Sequence, residues 1–357
     1  MQKKLFIPGP VDVLPEVLKQ MERPMISHRG KEISAILERI IGNTRKLMYT
    51  KNTILISTSS ATGLMEGAIR NCVSKRCVNF ANGAFAERWH GIAKECGKEA
   101  DLVSVEWGKP ITADIVDEAL SSGKYDAMTM VHNETSTGVM SPISEIANVV
   151  KDYDVSFLVD TVSSMAGVKI EVDKLGIDVC LYGTQKCMAL PPGLALCSVS
   201  DGALKKAEGI TGRGHYFDFL ALKKSIDKLQ TTTTPAISLL YALDYQLDRI
   251  INKEGQENRY KRHAEMAGIA RKWAADNFEL IPEEKYASNT VTAIRNTKSM
   301  DLGGLKKKLA EKGYEFSNGY GKFKDVSFRI PHMGDRTVEE LMQYLDDLDE
   351  CISGPSC

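Results

Sequence analysis

The chain has no apolar run approaching the ~20 residues of a membrane span, and the apolar stretch near its start, Leu5 to Ile7, is too short for a signal-peptide core. None of its eight cysteines forms a C-x-x-C pair, and none of its six histidines stands in H-E-x-x-H or a similar spacing. A metal centre is therefore not expected, and scattered thiols in a chain this size read as reduced, which implies a cytoplasmic protein. Cys351 and Cys357, at the tail, have no expected role. Charge of one sign is lacking as well: 46 basic against 47 acidic residues leave a net charge of −1. That balance excludes a general attraction for nucleic acid or anionic membrane, so an anionic ligand needs a local site. Polar low-complexity tracts and repeats of fixed period are also missing. What is left is an ordinary globular composition, 43% hydrophobic and 26% charged, over 357 residues, enough for a large domain and a smaller one.

From about residue 54 to 200, short apolar runs alternate with amphipathic stretches. The runs are TILIS (53–57), CVNFA (77–81), DLVSVEW (101–107), AMTMVH (127–132), SFLVD (156–160), VCLYG (179–183) and LALCSVS (194–200). Helical patterns lie between several of them, such as GLMEGAIRNCV (63–73), FAERWHGIAKECG (85–97) and SEIANVVKDY (144–153). Strands separated by helices need crossover connections, so the spacing predicts an α/β fold with a mostly parallel sheet covered by helices on both faces. Ligands of such sheets collect at the C-terminal ends of the strands. Helical character continues from about Thr234 to Asp276. After it, NTVTAI (289–294), a helix near 301–313, VSFRI (326–330) and a helix from 337 to about 352 read as a small α+β domain.

Three segments carry candidate chemistry. In STSSATGLMEGAIRN (57–71) a strand ends in hydroxyl residues and a helix opens at Ala61, Thr62 and Gly63. Free amides there, with the hydroxyls of Ser60 and Thr62, make an anion cup suited to a phosphate, although a plain Ser/Thr N-cap explains the same pattern. It is not a Walker loop, because the Gly-Lys-Ser/Thr ending is missing. Asp160 closes an apolar strand, where a lone carboxylate needs a cationic or donor partner, a protonated pyridine nitrogen being one and a structural ion pair or helix cap another. Lys186 follows a Gly-Thr-Gln turn and precedes Pro-Pro-Gly, a stiff and partly desolvated loop that lowers an amine's pKa and frees it as a nucleophile. A loop lysine by itself is ordinary surface decoration. Cup, buried Asp and Lys in this order, each after its own strand, are not.

This ordered set resembles the class V aminotransferases of pyridoxal-phosphate (PLP) fold type I, in particular the alanine–glyoxylate / serine–pyruvate aminotransferase branch. The matching stretches are PGPVDVLPEVL, SHRGKE, TGLMEGAIRN, NGAFAERW, VHNETSTGV, LVDTVSSMAG, GTQKCMALPPGLALCSVS, TTPAISLLYAL and FRIPHMGD, from residue 8 to 335. The resemblance implies a large PLP-binding domain over 16–250 and a small C-terminal domain over 251–357, with residues 1–15 packing near the latter and the active site. It implies pyridoxal 5′-phosphate on Lys186 as a Schiff base, with Lys186 then shuttling the proton between substrate and cofactor. Asp160 would keep the pyridine nitrogen protonated, and Phe85 would stack on the ring where other members carry Trp. Ser60, Ala61, Thr62 and Gln185 would hold the phosphate, and Thr135 and Val162 would line the ring. Thr233 would reach the phosphate from a neighbouring subunit, which implies a homodimer. Arg329 would clamp the substrate α-carboxylate through a bidentate pair, with Gly9, His28 and Arg29 also on the substrate side. Two positions depart from the pattern: Ala61 stands where the cup usually has glycine, and Gln230 where the human-type enzymes have tyrosine.

The expected reaction is a ping-pong transfer of an amino group from alanine or serine to glyoxylate or pyruvate. His-Arg in SHRGKE is similar to phosphoserine aminotransferases, where the pair helps bind a substrate phosphate, so transfer between glutamate and 3-phosphohydroxypyruvate is the alternative. Aspartate or 2-aminoethylphosphonate as donor also stays open. A class V lyase or cysteine desulfurase is disfavoured by Phe85, by Gln185 before Lys186, and by the lack of a cysteine in a Gly/Ser-rich loop. A non-catalytic PLP-fold protein is disfavoured because Lys186, Asp160 and Arg329 are all present. The segment 211–225, with His215 and Tyr216, is expected at the pocket or at a dimer edge.

Overall fold

In the computed structural model, which describes residues 3–353, every apolar run named above is a strand of one sheet. Met1, Gln2 and residues 354–357, with Cys357 among them, lie outside the described residues. Strand β1 is Lys4–Phe6, β2 Thr53–Ser57, β3 Arg76–Ala81, β4 Glu99–Ser104 and β5 Ala127–Val131. A short pair, β6 (Asn133–Glu134) and β7 (Val139–Met140), precedes β8 (Ser156–Asp160), β9 (Val179–Gly183) and β10 (Ala195–Val199). Four more follow: β11 (Glu279–Leu280), β12 (Val291–Arg295), β13 (Tyr314–Asn318) and β14 (Ser327–Pro331).

The large sheet has the order β2-β10-β9-β8-β5-β3-β4. Its members from β9 to β4 are parallel, and β10 runs antiparallel to both neighbours. Burial explains why the runs were legible. β2, β5, β8, β9 and β10 are buried at every residue, whereas the edge strand β4 alternates between exposed and half-buried positions. Successive residues face opposite layers. Ile54, Ile56, Phe157 and Val159 pack in one core, against the helices Lys31–Met48 and Ile237–Asp248. Leu55 and Leu158 pack in the other, against Ala61–Cys72 and Ala84–Glu95. Each such aliphatic side chain contributes roughly 1.5–3 kcal/mol on burial.

The second sheet has the order β1-β13-β14-β12-β11. β1 pairs in parallel with β13, so the chain's first strand belongs to a sheet built from residues some 300 positions later. A third core joins this sheet to the helices Gln256–Asn277, Leu302–Glu311 and Val338–Ser353 through Ala270, Leu305, Phe328 and Leu345. β1 and β13 were not expected from the sequence, because three- and five-residue strands with half-polar faces give little periodicity. The helical stretch expected from Thr234 to Asp276 is also broken. A helix spans Ile237–Asp248, the winding widens to a π-turn over Arg249–Glu254, and Gly255 at φ 80° starts a new helix at Gln256. Among the described residues no helix is long and apolar enough to cross a membrane.

Candidate active site

The C-terminal ends of β2, β3, β5, β8 and β9 meet around one cavity. Of the residues singled out in the sequence, Ser60, Ala61, Thr62, Phe85, Thr135, Asp160, Val162, Gln185 and Lys186 line it. They arrive from five separate segments, each delivered by the strand before it.

Asp160 is the last residue of β8 and is 3% exposed. Its Oδ1 accepts the amide of Val162 at 2.6 Å, and it forms no ion pair among the described residues. Burial holds the carboxyl up at about 7; the Val162 bond and the nearby Lys186 and Arg88 offset that in part, while Glu134 adds to it. Lys186 is 8% exposed and sits three residues beyond β9. Burial, followed by the Arg329 charge, brings its amine down to about 8. The turn is stiffened at Thr184, whose hydroxyl donates to the carbonyls of Pro191 and Leu194 at 2.9 and 3.2 Å. The Lys186 amine donates to the carbonyl of Pro8. Gly9 takes φ 96°, and a Cβ there would lie 2.7 Å from Lys186 Cδ, so the backbone can cross the lysine only without a side chain.

The helix Ala61–Cys72 starts at Ser60, which makes no side-chain cap. Gly63 bonds back to Ser60, whereas Ala61 and Thr62, which line the cavity, have first-turn amides with no backbone acceptor among the described residues. Ala61 begins the helix and is absent from the positive-φ positions, so alanine meets no backbone penalty at the place where the sequence pattern predicts glycine. Phe85 stands at the opposite wall. Its ring stacks on Tyr320 at 5.4 Å, with the Arg88 guanidinium 4.9 Å from its centroid. Thr135 shares a short hydrogen bond with the Ser163 hydroxyl.

Arg329 lies on β14, 7% exposed, and enters from the second sheet. Its Nε donates to the carbonyl of Asn318 at 3.0 Å and its Nη1 to that of Thr135 at 3.1 Å. No carboxylate pairs with it among the described residues, and burial lowers its pKa to about 10 despite the Glu134 charge. It borders a second, more open groove, which also includes Pro8 and Gly9.

His28, Arg29 and Thr233 do not line the Lys186 cavity. The Arg29 guanidinium donates to Gln230 Oε1 at 3.3 Å and to the carbonyls of Thr231 and Thr232 at 2.5 and 3.4 Å. It thus holds the irregular segment before the helix Ile237–Asp248 that carries Thr233, which is exposed. The segment 211–225 backs the helix Ala61–Cys72: a Cβ at Gly63 would meet Phe217 Cζ at 2.4 Å, and Tyr216 donates to the Thr58 carbonyl at 3.2 Å.

Two charged groups near the site escaped the sequence reading. Glu134 is wholly buried beside Thr135, and burial raises its pKa against the pull of four hydrogen bonds. Arg259, also wholly buried, donates to the carbonyls of Ala166 (3.1 Å) and Cys187 (2.6 Å), binding the loop after Asp160 to the loop after Lys186.

A ligand for this cavity must offer a positive ring atom to Asp160, an electrophilic carbon to Lys186, an anion to the amides of Ala61 and Thr62, and a flat face to Phe85. Asn133 adds a further demand. Its amide donates to the Ser163 carbonyl and the Thr290 hydroxyl, which leaves a buried Oδ1 without a partner at the cavity wall. Pyridoxal phosphate meets these conditions, and the mostly parallel sheet that presents them is that of the fold type I PLP enzymes. A family model described as aminotransferase class-V matches residues 12–320. An uncharacterised aminotransferase of Methanocaldococcus jannaschii is 41% identical over 96% of this chain and 91% of its own length. A serine–glyoxylate aminotransferase of Arabidopsis thaliana is 32% identical over 96% of this chain and 88% of its own. The crystal structure of an alanine–glyoxylate aminotransferase from Nostoc sp. is similar with a TM-score of 0.93 at 25% identity, over 99% of this chain and 96% of that one. The chain belongs to the class-V aminotransferase family and is a PLP-dependent enzyme of the serine/alanine–glyoxylate branch.

Proposed function

We propose that this enzyme moves the amino group of alanine or serine to glyoxylate or pyruvate in two half-reactions that share one chamber. The observation that carries the α-carboxylate part of this reading is Arg329, a buried guanidinium beside the Lys186 loop with no carboxylate partner among the described residues. Serine, alanine and glyoxylate are the substrates named for the Arabidopsis and Nostoc proteins, and pyruvate is the 2-oxo acid that alanine leaves behind.

PLP, when bound, supplies the electron sink that lets a Cα–H bond break and holds the amino group between the two half-reactions. Lys186 supplies the amine at Nζ, and with its pKa lowered to about 8 it both takes and returns the Cα proton near neutral pH. Asp160 holds a proton on the ring nitrogen, since a carboxylate this buried favours a cation against it. The amides of Ala61 and Thr62, with Ser60, Thr62 and Gln185, bind the phosphate; Phe85 covers one ring face, and Thr135 and Val162 border the ring. Arg329 orients the substrate through its carboxylate, and Gly9 leaves room for it above Lys186. The reading includes a homodimer, with Thr233, held by Arg29, reaching the cofactor phosphate of the other subunit, and a cytoplasmic location.

A panel of single half-reactions tests this. The holoenzyme is mixed with one amino acid at a time, and loss of the yellow PLP absorbance is followed as pyridoxamine phosphate forms. Alanine or serine is expected to react fastest. Conversion by phosphoserine or glutamate alone would move the assignment to the phosphoserine reaction, with His28 and Arg29 as phosphate ligands, and conversion by aspartate alone to an aspartate donor.

A further inference from the structure

The helix Ala84–Glu95 begins at Gly83, a residue with no side chain to cap its first turn. The cap comes from another strand. Glu134, on β6, accepts the amides of Phe85 and Ala86 on Oε2, both at 3.1 Å. Its Oε1 accepts the Ser136 amide at 3.0 Å and the Ser136 hydroxyl at 2.6 Å. Four donors on one buried carboxylate favour its charged form and fix it in place. Ser136 Oγ in turn accepts the Ala84 amide at 3.1 Å. Gly83 is needed for this approach, because a Cβ there would lie 2.4 Å from Glu134 Cγ. Between the two capping residues, Thr135 gives its carbonyl to Arg329 Nη1. Three consecutive residues therefore grip the first turn under Phe85 on one side and the guanidinium of Arg329 on the other.

We propose that Glu134 is a positioning residue for the transfer reaction, setting the Phe85 ring against the cofactor and, through Thr135, Arg329 against the substrate carboxylate. The inference rests on the roles given above to Phe85 and Arg329. Its negative charge acts in the same direction, raising the pKa of both Arg329 and Lys186.

Two variants remove the grip by different physics. Glu134→Gln keeps the shape but loses the charge and turns an N–H toward an N–H; Gly83→Ala keeps the charge but displaces it. Three readouts are compared with wild type: amide hydrogen exchange at Phe85 and Ala86 in cofactor-free protein, visible circular dichroism of the bound cofactor, and the split between KM and kcat. Both variants should speed exchange at the two amides by about ten- to a hundredfold, the factor a charged hydrogen bond carries. They should also weaken the dichroic band and raise KM for both substrates more than they lower kcat. Unchanged exchange at both amides overturns the cap. Faster exchange with an unaltered band and unaltered KM overturns the positioning role. If the Gln variant does not fold, Ser136→Ala, which removes one of the four donors, carries the same test at smaller size. Phe85→Leu separates the two levels: if it leaves cofactor affinity and dichroism intact, the role given to Phe85 fails, whatever the exchange at residues 85 and 86 shows.

Discussion

Arg259 and Arg329 are both buried arginines, and their affinities for the proton move in opposite directions. Burial lowers both. At Arg259 the loss is outweighed by Asp335 and Glu254, which contact Nη1 at 2.7 and 2.6 Å, so the pKa rises. At Arg329 no such partner exists among the described residues and the pKa falls to about 10. The same contrast separates the two regions around them. Asp335 is shared by Arg259, Arg249 and Gln246, so that every charge in that cluster is answered. Asp160, Lys186 and Arg329 are each desolvated and, among the described residues, left without an ion-pair partner. Paired burial marks architecture, and unpaired burial marks the place where a ligand completes the electrostatics.

This contrast can be broken in order of size. Lys186→Ala should lower turnover by about 10⁴-fold or more, measured in single-turnover assays, while PLP is still bound loosely; near-normal turnover would refute the lysine's assignment. Arg259→Met should destabilise the protein by roughly 3 kcal/mol in urea unfolding, because it removes the buried cation that ties Asp335 and Glu254 to the carbonyls of Ala166 and Cys187, leaving Asp335 to Arg249 and Glu254 to Arg262. Arg329→Met, the matching change on the other side, should leave cofactor-free stability unchanged or raised, yet increase KM for donor and acceptor alike by about a hundredfold. An effect on one substrate alone would contradict a shared carboxylate clamp.

The smallest effect is a stability change that depends on pH. Asp160 titrates at about 7 in the folded chain against an ordinary 3.8, so its ionisation removes stability as pH rises from about 4 to about 7. Lys186, lowered from 10.5 to about 8, removes stability as pH falls across that interval. Asp160→Asn should therefore raise the melting temperature of cofactor-free protein at pH 8, worth about 1–2 kcal/mol, and the gain should vanish near pH 4. The same variant should bind PLP more weakly. A melting temperature that does not change with this substitution at pH 8 would mean that the folded chain does not strain against the charge.

What was legible in the sequence follows from how each residue is buried. Asp160 ends five buried residues of β8, and Lys186 is bracketed by turn residues after β9, so local pattern alone exposes both. Glu134 sits in NETSTG, a polar stretch that reads as a loop, and its burial depends on Gly83 arriving from another strand. Arg259 lies among the charged residues of NRYKRH, and nothing local separates it from Arg262 or Lys261; its burial depends on the loops that pack on it. Arg29 was expected beside substrate, and the structure has its guanidinium on residues 230–232, a contact between positions about 200 apart that no local pattern encodes. Within the large sheet, continuous burial made the strands readable. In the second sheet, β1 and β13 owe their pairing to chain ends meeting in space.

Gly9 has a practical consequence. Residues 4–6 are tied into the second sheet, and the Val11 amide bonds to the Gln185 carbonyl, so the few residues between them form a strap across the Lys186 side chain. Anything fused ahead of Lys3 is anchored four residues from the start of that strap. An affinity handle for purification or immobilisation is better placed behind the helix Val338–Ser353, which meets the strap indirectly, through its packing on Phe6.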